Sequence, residues 1–311
     1  MRLATIDLGS NTVRFLLVDA QGSGPPRWTI VEQDQQITRL GEGLARTGVL
    51  DEGARTRTRA VVECYVSRGA RAGAENIAIV ATSAVREAAN GAAFAADLEA
   101  RTGRKVRVIA GDDEARLTLR GIQAGLGLLP GSIVAFDIGG GSTEYVLAAD
   151  GVPRVAVSLR LGVVPLAETF PFPQHVDVDT FDRLRRGVFG RLERELPTEI
   201  RAARPGRLIG TAGTATTLAA LDLGLVEYDA ARVQGHVLTR AAITSQLQAL
   251  SALTLAERAA LPCLEPGRAD LIVPGIAIVL ATLDCLGVDA MQVSDWGIRE
   301  GIVAEMLDAA R

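Results

Sequence analysis

The sequence predicts an α/β protein made of two similar halves, and three observations carry that reading. Strand patterns alternate with helix patterns along the chain, which marks the α/β class. A strand–turn–strand unit occurs twice, around Asp7-Leu8-Gly9-Ser10-Asn11-Thr12 and around Asp137-Ile138-Gly139-Gly140-Gly141-Ser142-Thr143-Glu144. Its aspartates stand 137 − 7 = 130 positions apart, and a second echoing pair, Thr82 and Thr211, stands 211 − 82 = 129 apart. Two motifs repeating at nearly one offset indicate a duplicated domain.

In chain order, strands are expected at 2–6, 13–19 and 28–37, with a Gly- and Pro-rich loop at 21–26. Asp51 is the N-cap of a helix reaching residue 72, whose apolar face carries Ala54, Val61, Val62, Tyr65, Val66 and Ala70. Strand 77–81, helix 92–101, strand 106–110 and helix 112–124 follow. Asp113 and Glu114 lie in the first turn of that last helix, where acids suit the helix dipole. A hinge at 125–131 divides domain I (1–126) from domain II (127–296). The second half restarts with strands at 132–136, 144–148 and 154–159. Helices at 163–169 and 179–200 come next, then strand 207–209 and helix 214–223. The region 239–257 reads as helical with breaks, 268–286 as a long buried helix and 290–293 as a strand. Ile298, Ile302, Val303, Met306 and Leu307 mark one face of a last helix.

Composition narrows the chemistry. A chain of 311 residues fits two domains better than one, and 48% apolar residues supply both with cores. A net charge of −4 argues against a general nucleic-acid binder. Cys64, Cys263 and Cys285 show no C-x-x-C spacing and read as reduced, partly buried thiols of a cytoplasmic protein. No signal-peptide pattern opens the chain. The apolar run 271–288 contains Pro274, Gly275 and Asp284, so it reads as a core helix and no membrane partner is expected. Lys105 is the one lysine, which excludes a P-loop and protein-kinase chemistry. His175 and His236 are the only histidines, which excludes a multi-histidine metal site; both read as surface or structural. No G-x-S-x-G elbow is present. Arginines, carboxylates, hydroxyls and backbone amides remain.

The turn at 137–144 is where those groups gather. Its three glycines permit φ > 0 and a close approach to a ligand. Successive free amides in such a turn form an anion-binding nest, and Ser142 and Thr143 add hydroxyls. Asp137 and Glu144 would repel a bare phosphate, so a hard cation such as Mg²⁺ is expected between them and it. The bland alternative is a plain glycine-rich hairpin, which has no need of flanking acids.

The wording and order of the motifs resemble the exopolyphosphatase and guanosine pentaphosphate phosphohydrolase family. The resemblance rests on D-L-G-S-N-T-V-R at 7–14, T-S-A-V-R-E-A at 82–88, G-D-D-E-A-R-L at 111–117 and D-I-G-G-G-S-T-E at 137–144. It continues in G-T-A-G-T at 210–214, G-R-A-D at 267–270 and W-G-I-R-E-G at 296–301. Asp113 departs from the family's usual glutamate, while Glu114 keeps the expected place. The resemblance implies two actin-like, ribonuclease-H-like domains with the active site in the cleft between them. It also implies that the last helix packs back on the first domain.

Under that resemblance, Glu114 orients or deprotonates the attacking water. Gly9, Ser10, Asn11 and Thr12 form one phosphate nest, and Gly139, Gly140, Gly141 and Ser142 form the other. Thr82 and Ser83 belong with the first; Thr211, Gly213 and Thr214 extend the second. Arg14 and Arg86 clamp phosphate oxygens in a bidentate way, with Arg268 further along the substrate. Asp137 and Glu144, together with Asp7, hold Mg²⁺ or Mn²⁺. The expected reaction is release of orthophosphate from the end of inorganic polyphosphate by a cytoplasmic homodimer. Guanosine pentaphosphate presents the same terminal phosphoanhydride, so a 5′-phosphohydrolase is the nearest alternative. An actin-like ATP-binding kinase relative and a non-catalytic polyphosphate or alarmone sensor are the alternatives of other classes.

Overall fold

The computed structural model describes residues 1–21 and 27–310. Most of the loop expected at 21–26 therefore lies outside the described residues. The chain forms two compact units, Met1–Ala124 with Gly297–Arg311, and Gly125–Trp296.

The first unit opens with β1 (Arg2–Leu8), β2 (Thr12–Ala20) and β3 (Trp28–Ile37). Short α1 (Leu44–Thr47) leads to α2 (Glu52–Arg71), whose N-cap Asp51 accepts a hydrogen bond from the Ala54 amide at 3.0 Å. Then come β4 (Asn76–Ala81), α3 (Ser83–Glu87), α4 (Gly91–Thr102), β5 (Val106–Val108) and α5 (Gly111–Leu126). The strands form one sheet in the order β3-β2-β1-β4-β5, with β1 antiparallel to β2 and parallel to β4. Residues 3–8 of β1 are all buried, as a central strand covered on both faces requires.

The second unit repeats the plan. It has β6 (Ser132–Ile138), β7 (Thr143–Ala149), β8 (Val152–Leu159), α6 (Val163–Thr169), α7 (Val178–Glu195), α8 (Thr198–Arg201) and β9 (Arg207–Thr211). It continues with α9 (Ala212–Asp222), α10 (Ala230–Val233), β10 (Val237–Thr239), α11 (Arg240–Ser251) and α12 (Leu255–Ala259). A 3₁₀ turn, Pro266–Arg268, precedes α13 (Ile272–Leu286) and β11 (Ala290–Ser294). The sheet order is β10-β11-β9-β6-β7-β8. Without β10, it is the order of the first sheet with the second-half strands substituted one for one. Even the irregularities correspond: β2–β3 has a bulge at Leu17/Val18, and β7–β8 has one at Leu147/Ala148, 147 − 17 = 130 positions later. Both units are thus the same actin-like, ribonuclease-H-like fold, as a duplicated sequence dictates.

The last helix, α14 (Ile298–Ala309), belongs to the first unit and packs against β1. It approaches α5 closely enough to exclude side chains. A Cβ on Gly121 would lie 1.8 Å from the Gly297 carbonyl oxygen, and one on Gly301 would lie 1.9 Å from that of Leu117.

Several expectations are adjusted. The helix expected over 179–200 breaks after Glu195, where Leu196 turns extended ahead of Pro197. The buried helix begins at Ile272, so Pro274 falls in its first turn, where no intrahelical amide is lost. Cys64 lies on the outer face of α2 and is exposed rather than partly buried. Among the described residues no helix is long and apolar enough to cross a membrane.

Candidate active site

The two β–turn–β corners share one backbone plan. In the first unit the Gly9 amide donates to the Thr12 carbonyl at 3.1 Å; in the second the Gly139 amide donates to that of Ser142 at 2.9 Å. Among the described residues the amides of Ser10 and Asn11, and those of Gly140, Gly141 and Ser142, donate to no backbone carbonyl. Their carbonyls are engaged from behind. Gly41 donates to Ser10 O at 2.7 Å, and Thr38 and Arg39 donate to Asn11 O at 3.0 and 2.9 Å. The Val163 and Val164 amides, at the start of α6, donate to Gly139 O and Gly140 O at 3.2 and 2.9 Å. Each corner is therefore a rigid loop with anchored carbonyls and available amides, the arrangement an anion nest needs.

The glycines serve space rather than handedness. None of Gly9, Gly139, Gly140 and Gly141 has positive φ, contrary to the expectation from the triple glycine. A Cβ on Gly139 would come within 3.0 Å of Ser142 O. A Cβ on Gly162, in the segment behind the corner, would come within 2.3 Å of Gly140 O.

The corners differ in charge. The cross-strand neighbour of Asp7 is Arg14, whereas the neighbour of Asp137 is Glu144. Residues directly opposite on antiparallel strands share a face, with Cβ atoms about 4.5–5.5 Å apart, and like charges there are destabilising. Glu144 is only 2% exposed, and its Oε1 accepts hydrogen bonds from the hydroxyls of Ser142 and Ser158, both at 2.6 Å. Two such carboxylates fit a hard cation, and Mg²⁺ commonly takes only one or two carboxylates and keeps its waters. Among the described residues no three His, Cys, Asp or Glu side chains form a metal cage. Asp7, expected from the sequence to join Asp137 and Glu144, belongs to the first unit and stands opposite Arg14.

At the start of α5 the three acids have different fates. Asp112 and Asp113 are solvent-facing partners of Arg116, at 2.8 and 3.2 Å. The Arg116 hydrogen bond outweighs the opposing effect of burial and lowers the Asp112 carboxyl below its usual range. Glu114 is buried, 8% exposed, and its Oε2 accepts from Arg86 Nη1 at 2.9 Å. The same nitrogen donates to the Ile109 carbonyl at 2.9 Å, tying α3, the end of β5 and α5 together. Arg86, read from sequence as a phosphate clamp, is thus already engaged with the candidate base. Thr82 Oγ1 donates to Leu8 O at 3.2 Å, and Ser83 Oγ donates to Glu87 at 3.0 Å.

In the second unit β9 passes directly into α9. Thr211 Oγ1 donates to the Trp296 carbonyl at 3.3 Å, and Ala212 adopts φ 66°, an unfavourable left-handed conformation for a residue with a Cβ. Arg268 lies over this helix start: a Cβ on Gly213 would be 2.7 Å from its Nη1. Glu265 holds Arg268 Nε at 3.1 Å. Thr214 is buried against Gly275, where a Cβ would meet its hydroxyl at 2.5 Å. A guanidinium above the uncapped N-terminus of a helix is an anion site by charge and by dipole. Sequence reasoning missed Ser158 and Gly162, because each acts across a gap that no local motif spans.

The profile of the Ppx/GppA phosphatase family matches residues 17–310. Exopolyphosphatase 2 of Mycobacterium tuberculosis is 36% identical over 98% of each chain. Among solved structures, a Ppx/GppA family member from Aquifex aeolicus is 32% identical with a TM-score of 0.83, covering 100% of this chain and 99% of that one. An exopolyphosphatase from Cytophaga hutchinsonii is 26% identical with a TM-score of 0.91, covering 99% and 98%.

Proposed function

Because the chain belongs to the Ppx/GppA phosphatase family, we propose that it is an exopolyphosphatase, hydrolysing the terminal phosphoanhydride of inorganic polyphosphate. The observation that carries the reading is the placement of Glu114. It alone of three adjacent acids is buried and held by a guanidinium, whereas Asp112 and Asp113 face solvent as ordinary helix-start acids do.

In the proposed reaction Glu114 accepts a proton from water as the water oxygen bonds to the terminal phosphorus. The bridging P–O bond breaks, and the electron pair leaves on the chain, now one phosphate shorter. Within each unit the corner supplies amides for phosphate oxygens: those of Ser10 and Asn11 in the first, and those of Gly140, Gly141 and Ser142 in the second. Arg14 and Arg268 offset further negative charge. Phosphoryl transfer asks chiefly for such positioning and charge neutralisation. Asp137 and Glu144 would hold Mg²⁺ or Mn²⁺, which when bound would neutralise phosphate charge as a Lewis acid. The hydroxyl of Ser142 is directed to Glu144, so its share of substrate binding falls to its backbone amide.

The test is phosphate release from polyphosphate and from guanosine pentaphosphate, with Mg²⁺ and with EDTA. Faster, metal-dependent release from polyphosphate supports the reading. Preference for guanosine pentaphosphate would replace it with the 5′-phosphohydrolase. Ligand-induced thermal stabilisation without any turnover would point to a sensor.

A further inference from the structure

We propose that Ser158 is a positioning residue that sets the Glu144 carboxylate for the divalent cation, a role that rests on the reading of Asp137 and Glu144 as its ligands. The topology puts the three side chains in one row. Glu144 on β7, which lies between β6 and the edge strand β8, has Asp137 of β6 directly opposite on one side and Ser158 of β8 directly opposite on the other. Neighbours along those strands, Phe136, Tyr145 and Val157, pack into the hydrophobic core of this unit. Strand alternation therefore places Asp137, Glu144 and Ser158 together on the other face.

The hydrogen bonds show what Ser158 does there. Its hydroxyl and that of Ser142 both donate to the same oxygen, Oε1, at 2.6 Å each. Bonds from hydroxyls to a carboxylate are short and about twice as strong as neutral ones. The terminal torsion of a glutamate is otherwise broad. Two donors on one oxygen, reaching it from the turn and from β8, fix the carboxylate plane. Ser142 sits on the corner that is read as binding phosphate, whereas Ser158 sits on regular strand. Ser158 therefore supplies the fixed reference against which the pair with Asp137 is held. Partners that orient a ligating carboxylate contribute about 10–100-fold in metal affinity.

The test is Mn²⁺ binding by electron paramagnetic resonance in wild type, Ser158→Ala and Ser158→Thr, alongside the metal dependence of phosphate release. Ser158→Ala should bind Mn²⁺ about 10–100-fold more weakly, with the half-saturating metal concentration rising by the same factor. The rate at saturating metal should fall less than metal affinity does. Ser158→Thr, which keeps the hydroxyl, should recover most of the affinity. Should the alanine variant fail to fold, Ser158→Cys keeps the volume with a weaker donor and should show the same loss. Wild-type Mn²⁺ affinity in a folded Ser158→Ala or Ser158→Cys protein would refute the role of Ser158 and leave the function intact. No Mn²⁺ binding by wild type would overturn the cation reading and the role of Ser158 with it.

Discussion

The ion pair between Arg86 and Glu114 should behave as a coupled unit, and a double-mutant cycle measures it. Arg86 Nη1 makes both contacts, to Glu114 Oε2 and to Ile109 O, at 2.9 Å. The side chains are 22% and 11% exposed, so the pair is neither a surface bridge nor a sealed one. Surface pairs contribute about 0–1 kcal/mol, and breaking a fully buried pair costs about 3–5 kcal/mol. Between these, a hydrogen bond to a charged group contributes about 1.5–3 kcal/mol. Arg86→Ala should therefore destabilise the protein by that amount and lower Tm by roughly 3–12 °C. In Glu114→Gln the charge is already gone, so adding Arg86→Ala should cost clearly less. Urea unfolding of the four proteins, followed by circular dichroism, gives a coupling energy expected at about 1–2 kcal/mol. Arg86→Lys should recover only part of it, because a lysine ammonium lacks the planar fork. Additive single effects, within about 0.5 kcal/mol, would show that Arg86 does not hold Glu114.

Two glycine substitutions should separate backbone clash from side-chain displacement. Gly162→Ala forces a Cβ to within 2.3 Å of Gly140 O, so the corner must shift and both stability and turnover should fall. Gly213→Ala meets only the tip of Arg268, at 2.7 Å, so Tm should barely change while KM rises; a large loss of Tm would contradict the contrast. Asp284 gives a pH prediction. Burial pushes its carboxyl up, but hydrogen bonds from Arg185 and Arg240 prevail and hold it below the usual range. Its contribution to stability is full above the unfolded-state value of about 4 and is lost as pH falls through the lower folded value. Asp284→Asn should therefore flatten the acid limb of a Tm-against-pH curve; an unchanged limb would assign it to other carboxylates.

The parts of the fold and site that lie contiguous in sequence were legible. The acid–glycine corners and the repeat at 130 positions are written in short segments. The Asp137–Glu144 pairing follows from a tight hairpin, because a short turn fixes the register. The Arg86–Glu114 bond joins residues 28 apart on different helices, and Ser158 reaches Glu144 from a third strand. Neither leaves a periodic or motif-level trace. The glycines were visible but their reason was not: positive φ was expected, whereas the limit is space, beside Ser142 O within the turn and beside Gly162 from a separate segment. Short α1, α3 and α10 lack enough residues to display a helical period.

The proposed role most directly open to measurement is that of Glu114 in handling the proton of the attacking water during polyphosphate hydrolysis. The direct measurement is steady-state phosphate release by Glu114→Gln at saturating Mg²⁺, with polyphosphate binding measured in parallel. A positioned acid–base group contributes about 10²–10⁴-fold, so kcat should fall by that factor while affinity for polyphosphate changes little. Turnover close to wild type, in a variant that still binds polyphosphate, would contradict the assignment of Glu114.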